Sequence, residues 1–215
     1  MKQRDVFLES EGDAWFRRNT GRPEAQYDPQ ADTLLIEICT IAPQILTGAP
    51  RILEIGCGAG MRLAWLKDNR NCQCYGIEPS QRAVEAATAR GLDVRKGTAD
   101  QLPFEEGSFD IVAFGFCLYV CDREDLFRIA AEADRVLADS GWLLLLDFYD
   151  KAHSARAYHH RAGLFSHKMD YTTLFTWHPA YTVYSHRLRD HREGGYTDAP
   201  EEWVATSVLR KNMRR

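Results

Sequence analysis

The sequence contains no uninterrupted apolar run that approaches the ~20 residues needed to cross a bilayer. Its first residues are polar and charged, and no apolar stretch like that of a secretory signal follows them. We therefore expect a cytoplasmic protein that does not use a membrane as partner. Apolar residues make up 45% and charged residues 27% of the 215, which excludes a strongly disordered chain and allows an ordinary core.

Cysteine pairs with a chemically useful spacing are also missing. The six cysteines show neither the C-x-x-C spacing of a redox pair nor the Cys/His spacing of a zinc site. We therefore expect free thiols with structural roles and predict no metal site.

Short apolar segments alternate with amphipathic ones along the first two thirds of the chain. The predicted strands are 51–55, 72–77, 93–96, 109–114 and 142–147, and the predicted helices are 31–47, 61–69, 80–90 and 122–137. This alternation is typical of an α/β, Rossmann-like, doubly wound sheet that is mostly parallel. Two more strands, at 181–188 and 203–209, predict a C-terminal antiparallel hairpin that closes the edge of a seven-stranded sheet.

A glycine-rich turn follows the first predicted strand. Residues 53–60 read Leu-Glu-Ile-Gly-Cys-Gly-Ala-Gly, and a helix follows. Glycine permits positive φ and close contact between a ligand and the main chain, while the N-terminus of a helix offers free N–H groups. A dinucleotide-binding G-x-G-x-x-G motif would need a glycine where this chain has Met61. Glu78, at the end of the second strand, can accept hydrogen bonds from both hydroxyls of a ribose.

These residues resemble the class I methyltransferases that use S-adenosylmethionine (SAM), in particular the small-molecule group that includes ubiquinone and menaquinone biosynthesis methyltransferases. The resemblance covers about residues 50–150. Within this range it includes the segments 97–104, 108–112 and 135–137. It implies SAM as cofactor, with the methionine part at the glycine loop, the ribose at Glu78 and the adenine near 98–100. The cofactor-binding residues expected from it are Glu54, Gly56, Cys57, Gly58, Gly60, Glu78, Pro79, Thr98, Ala99, Asp100, Gly115 and Phe116.

The chain departs from this group at two places. Relatives usually carry an aspartate where Thr98 stands, so Asp100 or the backbone N–H of Ala99 is expected to share the contact with the adenine amino group. The histidine pair that is frequent after the fourth strand is here Leu118-Tyr119, so the resemblance does not carry a histidine role over to that point.

The C-terminal part of the chain is basic and rich in histidine. Residues 151–215 carry 11 Lys and Arg against six acids, and all seven histidines lie between His153 and His191. In this fold the segment after the fifth strand shapes the acceptor site. The candidate bases are therefore His159, His160 and His167 with Tyr158, and the candidate acceptor contacts are Arg161, Lys168, Tyr119 and Trp15. The alternative is a solvated loop without a catalytic role.

The sequence therefore predicts an enzyme that transfers a methyl group from SAM to a small, anionic molecule such as a sugar or metabolite. Residues 1–48 are expected to form a helical cap or lid, and 49–215 the SAM-binding domain with an acceptor-specificity insert at about 151–180. The chain lacks the Asn/Asp-Pro-Pro-aromatic run of DNA methyltransferases, so no nucleic-acid partner is expected. A monomer or homodimer is expected. The alternatives are an NAD(P)-dependent oxidoreductase and a SAM-binding protein without catalysis.

Overall fold

A seven-stranded sheet forms the centre of the molecule. The computed structural model describes residues 2–20, 27–45, 48–192 and 194–212. The strands in these ranges are β1 (Arg51–Ile55), β2 (Gln73–Glu78), β3 (Asp93–Lys96), β4 (Phe109–Gly115), β5 (Leu137–Phe148), β6 (Ser154–Ala157), β7 (Phe165–Lys168), β8 (Tyr181–Asp190) and β9 (Trp203–Lys211). The sheet has the order β3-β2-β1-β4-β5-β9-β8, parallel up to β5 and antiparallel beyond it. The predicted Rossmann-like sheet with its C-terminal antiparallel hairpin is confirmed.

Helices cover both faces of this sheet. They are α1 (Gln3–Val6), α2 (Gly12–Thr20), α3 (Thr33–Ile45), α4 (Met61–Arg70), α5 (Gln81–Thr88), α6 (Leu126–Val136) and α7 (Thr173–Thr176). One apolar core joins α3, α4 and α5 to one face, and a second core joins α6 and α7 to the other. In the ranges described, no helix combines the length and apolarity that a bilayer span requires.

Strand β5 begins earlier than predicted. The prediction placed its start at Trp142, after a turn at Gly141. Instead α6 ends at Val136 and the chain continues directly as a strand, because Leu137 pairs with Phe109 of β4. An irregularity in the β4–β5 register then brings Ile111 opposite Trp142. The central part of β5 is buried throughout, as its apolar run predicts.

The N-terminal segment lies across the carboxyl ends of the strands. A π-helical stretch (Phe7–Glu11) joins α1 to α2. The backbone N–H groups of Gln3 and Arg4 each donate a 3.0 Å hydrogen bond to the carboxylate of Asp122. The carboxylate of Asp13 accepts a 2.7 Å bond from the hydroxyl of Ser80, which also caps α5. The segment is therefore anchored at the edge of the sheet where parallel strands present their loops.

Strands β6 and β7 form a hairpin that the sequence did not predict. Tyr158 and Leu164, in the turn of this hairpin, are buried together with Val6 and Phe7. The turn of the hairpin thus packs against the N-terminal segment, and β7 also contacts the 118–120 turn and β5 of the central sheet.

Candidate active site

The three glycines of the loop after β1 differ in how much space surrounds them. All three have positive φ, at 77° for Gly56, 54° for Gly58 and 69° for Gly60. A Cβ atom on Gly56 would lie 2.7 Å from the Cβ of Cys117, and one on Gly60 would lie 2.5 Å from Cδ1 of Leu92. A Cβ on Gly58 would meet no atom within 4 Å. Packing therefore requires the outer two glycines, whereas the middle one borders open space.

Glu78 is tied to this loop by its carboxylate. Oε2 accepts a 2.9 Å hydrogen bond from the backbone N–H of Gly58, and Oε1 accepts a 3.0 Å bond from the N–H of Ser80. Burial raises the pKa of Glu78, and these two bonds oppose the shift by favouring the charged form. Each carboxylate oxygen retains a lone pair for a further donor.

Two adjoining cavities lie over the loop. A cavity of about 450 Å³ is lined by the loop, by Glu78 and by the end of β4, and a smaller one of about 70 Å³ is lined by 97–100 and by apolar side chains. They share a wall that includes Phe7, Gly56 and Pro79. Eleven of the twelve expected cofactor residues line one cavity or the other. The twelfth, Gly60, packs beneath the loop against Leu92.

Asp100 has a partner that the sequence did not predict. Its carboxylate, in the wall of the smaller cavity, forms an ion pair with the guanidinium of Arg4, which also lies 3.3 Å from Asp125. The expected contact between Asp100 and an adenine would therefore share this carboxylate with Arg4. Thr98 and Ala99 line the same cavity. No motif in the N-terminal segment indicated Arg4.

A buried charge cluster lies at the other end of the loop. The guanidinium of Arg62 pairs with Glu54 and donates a 2.9 Å bond from Nε to the carboxylate of Asp32. The hydroxyl of Tyr27 donates a 2.9 Å bond to the same carboxylate. Burial raises the pKa of Glu54 to about 7, and Arg62 opposes this shift. Glu54, Arg62 and Tyr27 line the larger cavity, which therefore offers both signs of charge at one end.

Aromatic rings gather where β4 and β5 end. Phe116, Tyr119, Phe148 and His191 line the larger cavity, and Trp15 and Tyr27 line it as well. An outer cavity of about 780 Å³ shares Trp15, Tyr27, Phe116 and His191 with it. The expected acceptor contacts Trp15 and Tyr119 therefore lie at the site. His191 was not singled out by the sequence, since it lies beyond the segment expected to hold the base.

The candidate bases of the 151–170 segment lie elsewhere. The rings of His159 and His160 are exposed, with centroids 3.8 Å apart. Nδ1 of His167 lies 3.0 Å from Nε2 of His153, and burial lowers the pKa of His167 to about 4. The hydroxyl of Tyr158 donates a 3.2 Å bond to Glu11 and accepts one from Arg18.

The two expected anion contacts are also engaged with the protein. Nη1 of Arg161 donates a 2.6 Å bond to the hydroxyl of Ser10, and Nζ of Lys168 donates to the carbonyl oxygen of Glu201. Among the described residues, none of the six candidates from 158–168 lines the three cavities. The apolar packing of Tyr158 and Leu164 on the N-terminal segment explains this placement. The catalytic and anion-binding roles of the six stay predictions.

Comparison with known proteins identifies a methyltransferase domain at residues 53–145. An uncharacterized protein of Mycobacterium tuberculosis is 35% identical over 134 residues, which are 62% of this chain and 41% of that protein. An uncharacterized methyltransferase of Bacillus subtilis, YcgJ, is 34% identical over 107 residues, 46% of this chain and 41% of its own length. The chain thus spans about two fifths of the curated relatives that it matches.

A solved structure is similar over nearly the whole chain. It is the 1,6-didemethyltoxoflavin-N1-methyltransferase of Burkholderia thailandensis, with bound 1,6-didemethyltoxoflavin and S-adenosylhomocysteine. The TM-score is 0.70 at 15% identity, with 97% of this chain and 89% of that chain covered. At this identity the similarity establishes the fold.

Proposed function

The chain belongs to the class I SAM-dependent methyltransferases, and on this premise we propose that it transfers the methyl group of SAM to a small molecule. The observation that carries the proposal is the open space beside Gly58. This glycine has positive φ, a Cβ on it would meet no atom, and its N–H fixes the carboxylate of Glu78. The positive φ alone favours glycine here, and the open space beside it leaves the main chain accessible to a ligand.

The residues around the larger and smaller cavities over the loop suit the three parts of SAM, which are the ribose, the adenine and the methionine part. Glu78 offers lone pairs to the two ribose hydroxyls, and the smaller cavity has the apolar walls that an adenine ring needs. The methionine part carries an ammonium and a carboxylate. The cluster of Glu54, Asp32 and Arg62 offers the opposite charges for both.

When bound, SAM supplies an electrophilic methyl group on its sulfonium sulfur. The chain's contribution is then to position the acceptor in line with that group and to exclude water. The aromatic side chains where β4 and β5 end line the larger cavity over the loop, and Phe116 and His191 line the outer cavity as well. The outer cavity is large enough for a small-molecule acceptor. Supporting this proposal, the similar Burkholderia enzyme was solved with bound 1,6-didemethyltoxoflavin and S-adenosylhomocysteine.

Equilibrium binding tests the cofactor. Calorimetry should show binding of SAM and S-adenosylhomocysteine to the wild-type chain, and no binding of NAD. Glu78→Gln keeps the shape of the side chain but removes its charge, and should weaken SAM binding by about 1.5–3 kcal/mol. Glu85→Gln, on the exposed part of α5, is the matched control. Equal affinity of wild type and Glu78→Gln for SAM would contradict the assignment, and binding of NAD would favour the oxidoreductase alternative.

A further inference from the structure

His191 lies where the larger cavity over the glycine loop adjoins the outer cavity. It follows the last residue of β8 and lines both cavities. Its backbone N–H donates a 2.8 Å hydrogen bond to the carbonyl oxygen of Glu202, which fixes the turn. Its ring packs on Phe148 at a centroid distance of 4.8 Å and on Phe116 at 5.7 Å, both at 65°. Of the histidines that the structure describes, it alone borders any of the three cavities.

The rings beside His191 form a continuous wall. Phe148 lies 5.0 Å from Tyr119 and 5.4 Å from Phe116, centroid to centroid. Trp15, from the N-terminal segment, lines the same cavity. Aromatic side chains supplied by separate elements suit a flat ring, which can make stacked or edge-to-face contacts with them.

The backbone at Phe116 is strained. Its φ of 50° lies in the left-handed region, which a bulky side chain rarely adopts. Its N–H donates a 2.8 Å bond to the carbonyl oxygen of Leu146, which holds the residue in this conformation. Strain of this kind persists mainly where the position of a side chain matters for function. Here it presents the Phe116 ring to the cavity wall beside His191.

We propose that His191 and the rings of Phe116, Tyr119 and Phe148 form the acceptor subsite for a planar aromatic molecule, whose O–H or ring N–H gives its proton to His191. This inference rests on the proposed methyl transfer. A new bond forms between the acceptor oxygen or nitrogen and the methyl carbon. The bond from that carbon to sulfur breaks, and its electron pair stays on sulfur to give S-adenosylhomocysteine. The acceptor proton passes to a ring nitrogen of His191 and then to water.

The surroundings keep His191 able to accept a proton. Desolvation by the neighbouring rings lowers the pKa of its imidazole, although part of the residue is exposed to solvent. Glu202 and Asp190 act in the opposite direction, whereas Lys168 and Arg192 lower it further. The net shift is downward, so the neutral imidazole predominates at neutral pH and can act as a base.

The first test is binding. Saturation-transfer NMR on the full chain with saturating S-adenosylhomocysteine would compare phenol with cyclohexanol, a saturated ring of the same size. Phenol should show transfer and cyclohexanol should not, and Phe148→Ala should abolish the phenol signal. Equal signals from both probes, or none from phenol, would overturn the proposal. If the wild-type chain fails to bind S-adenosylhomocysteine in calorimetry, the proposed function fails instead.

The second test separates a base from a positioning residue. His191→Gln should lower the rate of phenol methylation by about 10²–10⁴-fold. At alkaline pH 4-nitrophenol is already ionised and needs no base. His191→Gln should therefore lower the rate with 4-nitrophenol at that pH by less than about 10-fold. His178→Gln, in the turn before β8, is the control and should match wild type. Equal losses with both phenols, or no loss with either, would overturn the role of His191 as base. Affinity for S-adenosylhomocysteine should stay the same in both variants.

Discussion

Glu78 and Gly58 are joined by a 2.9 Å hydrogen bond from the backbone N–H of the glycine to Oε2 of the acid. The end of β2 and the loop after β1 therefore form one binding unit. A ligand that contacts the Glu78 carboxylate also lies beside the exposed backbone of Gly58. The two positions are expected to lose binding together when either is changed.

Gly58 and Gly56 should separate binding from folding. Gly58→Val places its side chain in open space, so the sheet should still fold, with a cost from positive φ of roughly 1–2 kcal/mol, while SAM binding is lost. Gly56→Val would collide with Cys117, so it should fail to fold or unfold at a much lower temperature. Thermal melts and calorimetry on both variants would check this. Normal SAM affinity in Gly58→Val would show that the glycine has only a structural role.

Arg62 should act on the amino-acid part of the cofactor alone. Arg62→Met is expected to weaken S-adenosylhomocysteine binding by about 10- to 100-fold, as loss of a charged hydrogen-bond partner does. Binding of 5′-methylthioadenosine, which lacks the amino-acid part, should be unchanged. Arg90→Met, in the wall of the outer cavity, is the control. Equal losses for both ligands would mean that Arg62 only holds the loop in shape.

The N-terminal segment is expected to behave as a lid. Amide exchange in 3–19 should slow when S-adenosylhomocysteine is added, because Phe7 and Trp15 line the larger cavity over the loop. Asp13→Ala removes the bonds to Ser80 and to the N–H of Arg82, so it should speed exchange in α2 and raise the dissociation rate of the ligand. Glu9→Ala, exposed on the same segment, should leave both rates unchanged. Identical protection with and without ligand would argue against a lid.

Asp147 should make stability depend on pH. Its carboxylate is buried and accepts 2.8 Å bonds from the N–H groups of Leu118 and Phe148. Burial raises its pKa from 3.8 to about 7 despite these bonds. Between these values the folded state holds a proton that the unfolded state has lost. Stability should therefore fall as pH rises from about 4 to about 7, by at most about 1.4 kcal/mol per pH unit.

Urea denaturation of wild type and Asp147→Asn across this range would check the slope. The variant should show a shallower slope, with a remainder from Glu54, whose pKa is also raised to about 7. Parallel slopes in the two proteins would show that Asp147 does not titrate there.

The sheet could be predicted because its signals are local. The apolar run 142–146 and the glycine turn after Ile55 can each be recognised from a few consecutive residues. Ser80 caps α5, as its position before the helix predicts. The charge cluster could not be predicted in this way. Asp32 and Arg62 are 30 residues apart, and only the packing of α3 and α4 on one sheet face brings them together.

The hairpin of β6 and β7 lacked a usable signal. Residues 154–157 are Ser-Ala-Arg-Ala and mostly exposed, so no apolar alternation marks a strand. The place of residues 159, 160 and 167 after the fifth strand predicts a base among them. His191 lies beyond that segment, and its approach to the site depends on where the β8–β9 turn folds back.

The turn of the β6–β7 hairpin and the turn after β8 contact different parts of the molecule. Arg161 and Tyr158 bond to Ser10 and Glu11 of the N-terminal segment, whereas His191 borders the cavities. Mutations in the hairpin turn, 158–164, should therefore alter how fast the site opens and closes, while mutations near the β8–β9 turn should alter which acceptor it accepts. Turnover rate and acceptor range could then evolve independently in this protein.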